Sequence, residues 1–373
     1  MTWRNSIARP VVCVVALAAL ICVGGCPSGE SVEQTEPPPA EGGSLVDVPA
    51  ITGSAVSPDG RYVAVAAMLG SELRQALAVV ALPAGNRVAM LSGASPSWDA
   101  GGEALYFSDG PVAHSGNIWR YDVGAGSTGA EGVGGLPPDS TNVAASPARA
   151  EIAVVTLGRP HAVFLCDPAG EQCSELLSWE RVLGASLTWS PDGSRLFLIR
   201  RDKQAEFPAA ELVSVAVPSG ELTVLAQGPL SFPVQAAPDG TVFCTRYTDL
   251  DDRRKELVQV GPEAGLLTVI RLPRQVRHLE QFAVSADGAH ILAGDAGGGL
   301  WLVARSDGGA QQVSANGMAP QWLPDAPEGY IFFEPSNQDG VSQLVLMRGS
   351  IGGEAPSQVA AVSLAPDSAA ASP

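Results

Sequence analysis

The sequence predicts an all-β domain of repeated four-stranded units, seven in number, closed into a ring. Three observations lead there. One short motif recurs along the chain, each copy followed by a second apolar strand. The apolar fraction is 46%, but it is scattered in short runs rather than collected in long ones. Gly (42) and Pro (30) punctuate those runs, and only 16% of residues are charged. Many short strands separated by turns give that profile.

The chain begins differently. Met1 to Pro10 carries Arg4 and Arg9 and no acid, and Val11 to Val23 is almost uninterrupted apolar sequence. That run is shorter than the roughly 20 residues of a spanning helix and matches the apolar core of an export signal. It ends in Val23-Gly24-Gly25-Cys26. This resembles the bacterial lipobox, in which small residues precede a cysteine that is lipidated and becomes the new N-terminus. The usual Leu three places before the cysteine is Val23 here. The resemblance implies lipidation at Cys26 and a membrane anchor, with Pro27 rather than Asp in the next place pointing to the outer membrane. An ordinary signal peptide with an incidental cysteine is the competing reading. Pro27 to Gly43 is polar, acidic and Pro-rich, as expected of an extended tether. The expected division is a signal over 1–25, a tether over 26–44, the repeat domain over 45–362 and a tail over 363–373.

Within the domain, the clearest copies of the motif are Ser57-Pro58-Asp59-Gly60 and Ser190-Pro191-Asp192-Gly193. Pro238-Asp239-Gly240 and Ser285-Ala286-Asp287-Gly288 are close relatives. Degraded copies follow Trp98, Ala145 and Trp322. Pro presets φ, Asp caps the turn and Gly accepts positive φ, so each copy reads as a tight turn between strands. A third strand follows each pair, as at Ile118-Trp119-Arg120-Tyr121, Leu212-Val213, Leu300-Trp301 and Leu344-Val345, and a fourth as at Leu222-Thr223-Val224. A spacing of roughly 40 to 50 residues is that of propeller blades. A miscounted degraded copy would make the ring six or eight. The segment from Leu45 to Ile51 is expected to pair with the last blade and close the ring.

The pattern Trp-Ser-Pro-Asp-Gly at Trp189 to Gly193, followed by alternating apolar residues, resembles the WD-repeat-like propeller repeat of TolB-type proteins. The resemblance covers about Val46 to Ala360. It implies the propeller fold and protein binding at the cell envelope. TolB itself has six blades, a further N-terminal domain and no lipid anchor, so its particular role is not carried over.

Three cysteines lie in the domain. Cys166 and Cys173 flank the turn at Asp167 to Gly170, and in an exported chain a disulfide across that hairpin is expected. Two free thiols or a metal pair are the alternatives. Cys244, in an apolar strand, reads as a buried thiol.

Chemistry-bearing residues do not assemble into a catalytic set. The four histidines, His114, His161, His278 and His290, fall in different parts of their repeats and are not expected to converge. Gly297 to Gly299 precedes a strand rather than opening a helix, which excludes a phosphate loop. The run Thr248 to Glu256 has three Asp but lacks the Gly and distal Glu of a calcium loop, and reads as a charged hairpin. Trp98, Trp189 and Trp322 share one place in their repeats and are expected to pack between blades, with Trp119 and Trp301 packing on third strands. No nucleophile elbow occurs. The net charge of −17 argues against nucleic acid. The expectation is a non-catalytic scaffold without cofactor or metal, anchored in the bacterial envelope and binding envelope proteins of unknown identity. A carbohydrate-active, hydrolytic or lyase propeller with a channel site is the alternative, and a relic of degraded repeats with little retained binding is a third reading.

Overall fold

The computed structural model describes residues 49–70, 74–82, 84–109, 117–124, 129–158, 160–179, 187–201, 209–261, 267–297, 299–338 and 341–364. Cys26, the tether and His114 lie outside them. Among the described residues, 28 strands form seven antiparallel sheets of four, each built from consecutive segments. Blade 1 is β1 (Ala50–Val56), β2 (Tyr62–Leu69), β3 (Arg74–Ala81) and β4 (Arg87–Leu91). Blade 2 is β5 (Ala94–Trp98), β6 (Ala104–Ser108), β7 (Ile118–Asp122) and the two-residue β8 (Glu131–Gly132). Blade 3 is β9 (Ser140–Ala145), β10 (Ile152–Thr156), β11 (His161–Cys166) and β12 (Cys173–Trp179). Blade 4 is β13 (Leu187–Trp189), β14 (Arg195–Arg200), β15 (Ala210–Ala216) and β16 (Leu222–Gly228). Blade 5 is β17 (Leu230–Ala236), β18 (Val242–Asp249), β19 (Arg254–Val260) and β20 (Leu267–Ile270). Blade 6 is β21 (Leu279–Val284), β22 (His290–Asp295), β23 (Leu300–Ala304) and β24 (Ala310–Ser314). Blade 7 is β25 (Met318–Leu323), β26 (Ala326–Gln338), β27 (Val341–Ser350) and β28 (Ser357–Ser363).

The predicted turns do what their residues dictate. In blade 1 the Gly60 N–H donates to Ser57 O at 2.9 Å, and Asp59 Oδ1 accepts from Ser57 Oγ at 2.6 Å and from the Arg61 N–H at 3.0 Å. Blade 4 repeats this at Ser190 and Asp192, and blade 6 at Ser285 and Asp287. Gly60 has φ +72°, and a Cβ there would lie 2.9 Å from the Asp325 carboxyl of blade 7. The glycine thus serves both the turn and the close stacking of neighbouring turns.

These hydrogen bonds hold the Asp192 carboxyl down at about 2, the Ser190 hydroxyl contributing most and the Ser194 backbone next. Asp287 is lowered in the same way, first by Ser285. A folded value below the unfolded one, roughly 3.9, means that the stabilisation is complete above about pH 4 and is lost as pH falls toward about 2. The thermal midpoint of the wild type is therefore expected to drop over that interval. The double variant Asp192→Asn/Asp287→Asn should show a flatter pH dependence; an identical slope would refute the assignment.

Among the described residues, seven apolar clusters hold the ring, one in each seam between blades. The largest joins blade 7 to blade 1 through Val63, Val65, Ala319, Ile331, Phe333, Leu344 and Leu346. Alternation explains how one strand serves two seams. Val63, Val65 and Ala67 of β2 face blade 7, whereas Ala64 and Ala66 face blade 2. A strand buried on both faces reads as a continuous apolar run, which is what Tyr62 to Leu69 is.

The first strand of every blade is innermost and leaves one backbone edge turned away from its own sheet. Neighbouring blades cap those edges. Trp98, Trp189 and Trp322 each donate their indole N–H backward to a carbonyl of the preceding blade: Ala55 O at 2.9 Å, Ala144 O at 2.9 Å and Ala283 O at 3.0 Å. One place earlier, the side chains reach forward. Ser97 Oγ accepts the Ala145 N–H at 2.9 Å, and Gln235 Oε1 accepts that of Val284 at 2.9 Å. Gln321 Nε2 donates to Ser54 O at 3.1 Å. Edge groups that would otherwise stay unpaired are satisfied across the seams.

Ring closure departs from the expectation for Leu45 to Ile51. Ala50 and Ile51 pair with Met68 and Ala67 of β2, and blade 7 completes its own sheet, so no strand is exchanged. The physical reason is that the turn at Ser57 needs its own inner strand, and residues 50–56 supply it. Residues 45–48 lie outside the described residues.

Candidate functional site

The alternation of antiparallel strands sorts the connections onto two faces. Turns between first and second strands, and between third and fourth, lie on one face, called the turn face. Loops between second and third strands, and the links between blades, lie on the opposite loop face, where β1 begins.

The residues singled out in the sequence are dispersed. His161 starts β11 and is buried, His290 starts β22 on the turn face, and His278 lies before β21 on the loop face. Cys166 and Cys173 are bonded to each other across the first pair of the β11–β12 hairpin. The turn they close rests on blade 2, where Tyr106 Oη donates to Pro168 O at 3.1 Å. Burial pushes the Tyr106 hydroxyl up to about 12, and the buried Cys244 thiol likewise to about 12. Asp249 Oδ1 accepts the Asp251 and Asp252 N–H groups at 3.0 and 3.1 Å, a local turn at the tip of the β18–β19 hairpin.

Sequence reading missed an aromatic and basic arc on the loop face of blades 3 to 5. Arg200, at the end of β14, lies 6.0 Å from the ring centre of Trp179, at the end of β12. Glu211 orients it, accepting from Arg200 Nε at 2.7 Å and from Gln227 at 2.7 Å. The Trp179 indole N–H is buried with no hydrogen-bond partner among the described residues. In blade 5, Lys255 Nζ stands 5.3 Å from the Tyr247 ring centre and 3.9 Å from Glu280, while Arg246 pairs with Glu256. Cations over aromatic faces at such distances attract at about 0.5–1 kcal/mol each. A signal for the arc was available. Residues 195–277 hold eleven of the 22 Lys and Arg against ten of the 39 acids, so the rest of the chain carries all of the net negative charge.

A second place of interest lies on the turn face, in the seams. In several blades the residue opening the third-to-fourth-strand turn donates its N–H to the preceding hairpin of its own blade: Leu82 to Arg61 O, Val217 to Ser194 O and Arg305 to Ala289 O. Its side chain points toward the blade before. In the seam between blades 5 and 6, Arg305 fills that space. Its guanidinium donates to Gln259 Oε1 at 2.7 Å, Asp239 Oδ2 at 3.3 Å, Thr241 Oγ1 at 3.3 Å and Gly288 O at 3.2 Å, 5.2 Å from the Phe243 ring centre. In the seam between blades 7 and 1, the equivalent residue is Leu82. Register places Asp325 where Asp239 stands, Ile331 where Phe243 stands and Arg348 where Gln259 stands. A cavity remains there, lined by Gly60, Leu82, Leu323, Asp325, Ile331, Arg348 and Val359.

The geometry defines the class of protein: a seven-bladed β-propeller. Solved structures agree. Puromycin hydrolase superposes with TM-score 0.61 at 16% identity, over 87% of this chain and 55% of that one. Kuenenia stuttgartiensis hydrazine synthase gives 0.57 at 14%, over 78% and 94%. Oligogalacturonate lyase from Vibrio parahaemolyticus gives 0.56 at 10%, over 78% and 88%. The chain spans about half of the puromycin hydrolase chain. At such identities the likeness is one of fold alone. No family model and no curated protein sequence matches the chain.

Proposed function

We propose that the chain is a TolB-like propeller lipoprotein, held by a lipid on Cys26 in the bacterial envelope at the outer membrane, and that it works as a protein-binding scaffold. The observation that carries this reading is the arc of Trp179, Arg200, Tyr247 and Lys255, half-buried aromatic and basic groups gathered at the loop face of an otherwise acidic protein. Loops on a rigid frame are where binding surfaces are built, and Trp, Tyr and Arg are the residues that dominate them. The Ser-Pro-Asp-Gly turns support the TolB-type assignment, and Val23-Gly24-Gly25-Cys26 supports the anchor.

The test combines fractionation with capture from native envelopes. Wild type should sediment with outer membrane and Cys26→Ala should be released into the soluble fraction. Arg200→Ala/Lys255→Ala should lose at least about tenfold of whatever envelope protein the wild type retains. Equal retention by the double variant would refute the arc as the binding surface. The alternative reading, a hydrolytic or lyase propeller, draws on the puromycin hydrolase and oligogalacturonate lyase neighbours. Turnover of blocked peptides or acidic oligosaccharides by the purified protein would displace the scaffold reading.

A further inference from the structure

The seam between blades 5 and 6 shows what the cavity between blades 7 and 1 is built to surround. At the first, a side chain of the protein itself occupies the space: Arg305 supplies a cation to Asp239, donors to Gln259 and a flat face to Phe243. At the second, besides Ile331 in place of Phe243, two of these features are changed together. Leu82 is too short and too apolar to reach across, and the neutral Gln259 is replaced by the cationic Arg348. The cavity has a volume of about 80 Å³ and an open mouth, well below drug-sized sites, so it suits only a small ligand whose polar end stays at the mouth. Leu82, Leu323, Ile331 and Val359 form its apolar wall. Arg348 has no ion pair or side-chain hydrogen bond among the described residues, and no ion pair joins it to Asp325 across the cavity.

We propose that this cavity is a binding site for a free aliphatic α-amino acid. Arg348 takes the α-carboxylate, for which its planar fork is suited. Asp325, exposed at the rim as Arg348 is, takes the α-ammonium, and the four apolar side chains take the aliphatic group. A second guanidinium, the occupant at the equivalent seam, is excluded because Arg348 already places a cation there. An anion alone would leave Asp325 unanswered beside it. A zwitterion with an apolar stem satisfies both charges and the wall at once. This site lies on the face opposite the loop-face arc, and it stands or falls independently of the scaffold reading.

The test is calorimetric titration of the full-length protein in detergent with L-leucine, N-acetyl-L-leucine and L-leucinamide. L-leucine is expected to bind with Kd below about 1 mM, well within the bound for a ligand of this size. Each blocked derivative is expected to bind at least about tenfold more weakly. Leu82→Arg, which fills the space with a second guanidinium, should abolish binding, at some cost in the thermal midpoint because Arg348 lies beside it. Arg348→Gln, which recreates Gln259, should weaken L-leucine about tenfold while leaving L-leucinamide unchanged. Absence of heat with L-leucine, L-valine and L-isoleucine alike overturns the proposal. So does equal binding of L-leucine and its two derivatives, or binding untouched by both Leu82→Arg and Arg348→Gln. Should Leu82→Arg fail to fold, the Arg348→Gln titrations decide.

Discussion

Replacing Trp189 by Ala is expected to destabilise the domain by about 3–5 kcal/mol, the range for deleting a large buried ring. Trp189 is 6% exposed and packs against Ala144, Ala153, Val213 and Val215 in the seam between blades 3 and 4. Its indole N–H also caps Ala144 O, so truncation leaves both a cavity and an uncapped inner-strand carbonyl. Trp189→Phe separates the two losses: it keeps most of the ring and should cost about 1–2 kcal/mol. Urea denaturation of the three proteins measures both. A loss under about 1 kcal/mol for Trp189→Ala would mean that the seam closes around the gap and that the indole is not a principal contact.

Arg305→Leu is expected to cost about 2–4 kcal/mol. The guanidinium is hydrogen-bonded to three side chains of blade 5 and to the Gly288 carbonyl of its own blade, and its side chain is only 23% exposed. Removing a hydrogen-bonded, partly buried charge leaves Gln259 and Thr241 without that partner and strips the Phe243 face. The estimate stays at the low end of buried pairs because Asp239 is 54% exposed and water can answer it. The variant copies the seam between blades 7 and 1, where Leu82 occupies the same place. Thermal denaturation should show the loss, and a crystal structure of the variant should show a second cavity lined by Gln259 and Asp239. If the midpoint is unchanged, Arg305 is an ornament of the surface rather than a staple between blades.

Much of this architecture was legible in the sequence because it rests on local chemistry. A turn that needs Pro, Asp and Gly in order announces itself at Ser57 and Ser190, and the strands on either side are bounded by it. The place of Trp98, Trp189 and Trp322 in the repeat was enough to assign them to the seams. What they donate to was not legible, since Ala55, Ala144 and Ala283 are chosen by the height of one strand against the next. The role of residues 50 and 51 was not legible, because an apolar segment ahead of the first turn suits either an inner strand or a closing outer strand. The strand that precedes the other copies of the turn favours the inner place. The arc of blades 3 to 5 depends on Trp179 meeting Arg200 across a seam, which no spacing reveals. The cavity between blades 7 and 1 joins Leu82 to Arg348 from opposite ends of the chain. Only alignment of Leu82 with Arg305, position by position within the repeat, would have suggested that something was missing there.

Closing the ring without an exchanged strand also has a consequence in time. Six seams join blades adjacent in sequence, so each can pack soon after its second blade is made. The seventh joins groups such as Ser54 and Ala319, 265 residues apart. Contacts that distant must wait for nearly the whole chain, and synthesis delivers the N-terminal blades first. An incomplete chain would therefore exist as an open arc of finished blades, with the apolar flanks of its two ends bare. A circularly permuted gene that opened the chain between blades 3 and 4 and linked the present ends would shift this late step to another seam. The same set of contacts would then be acquired in a different order.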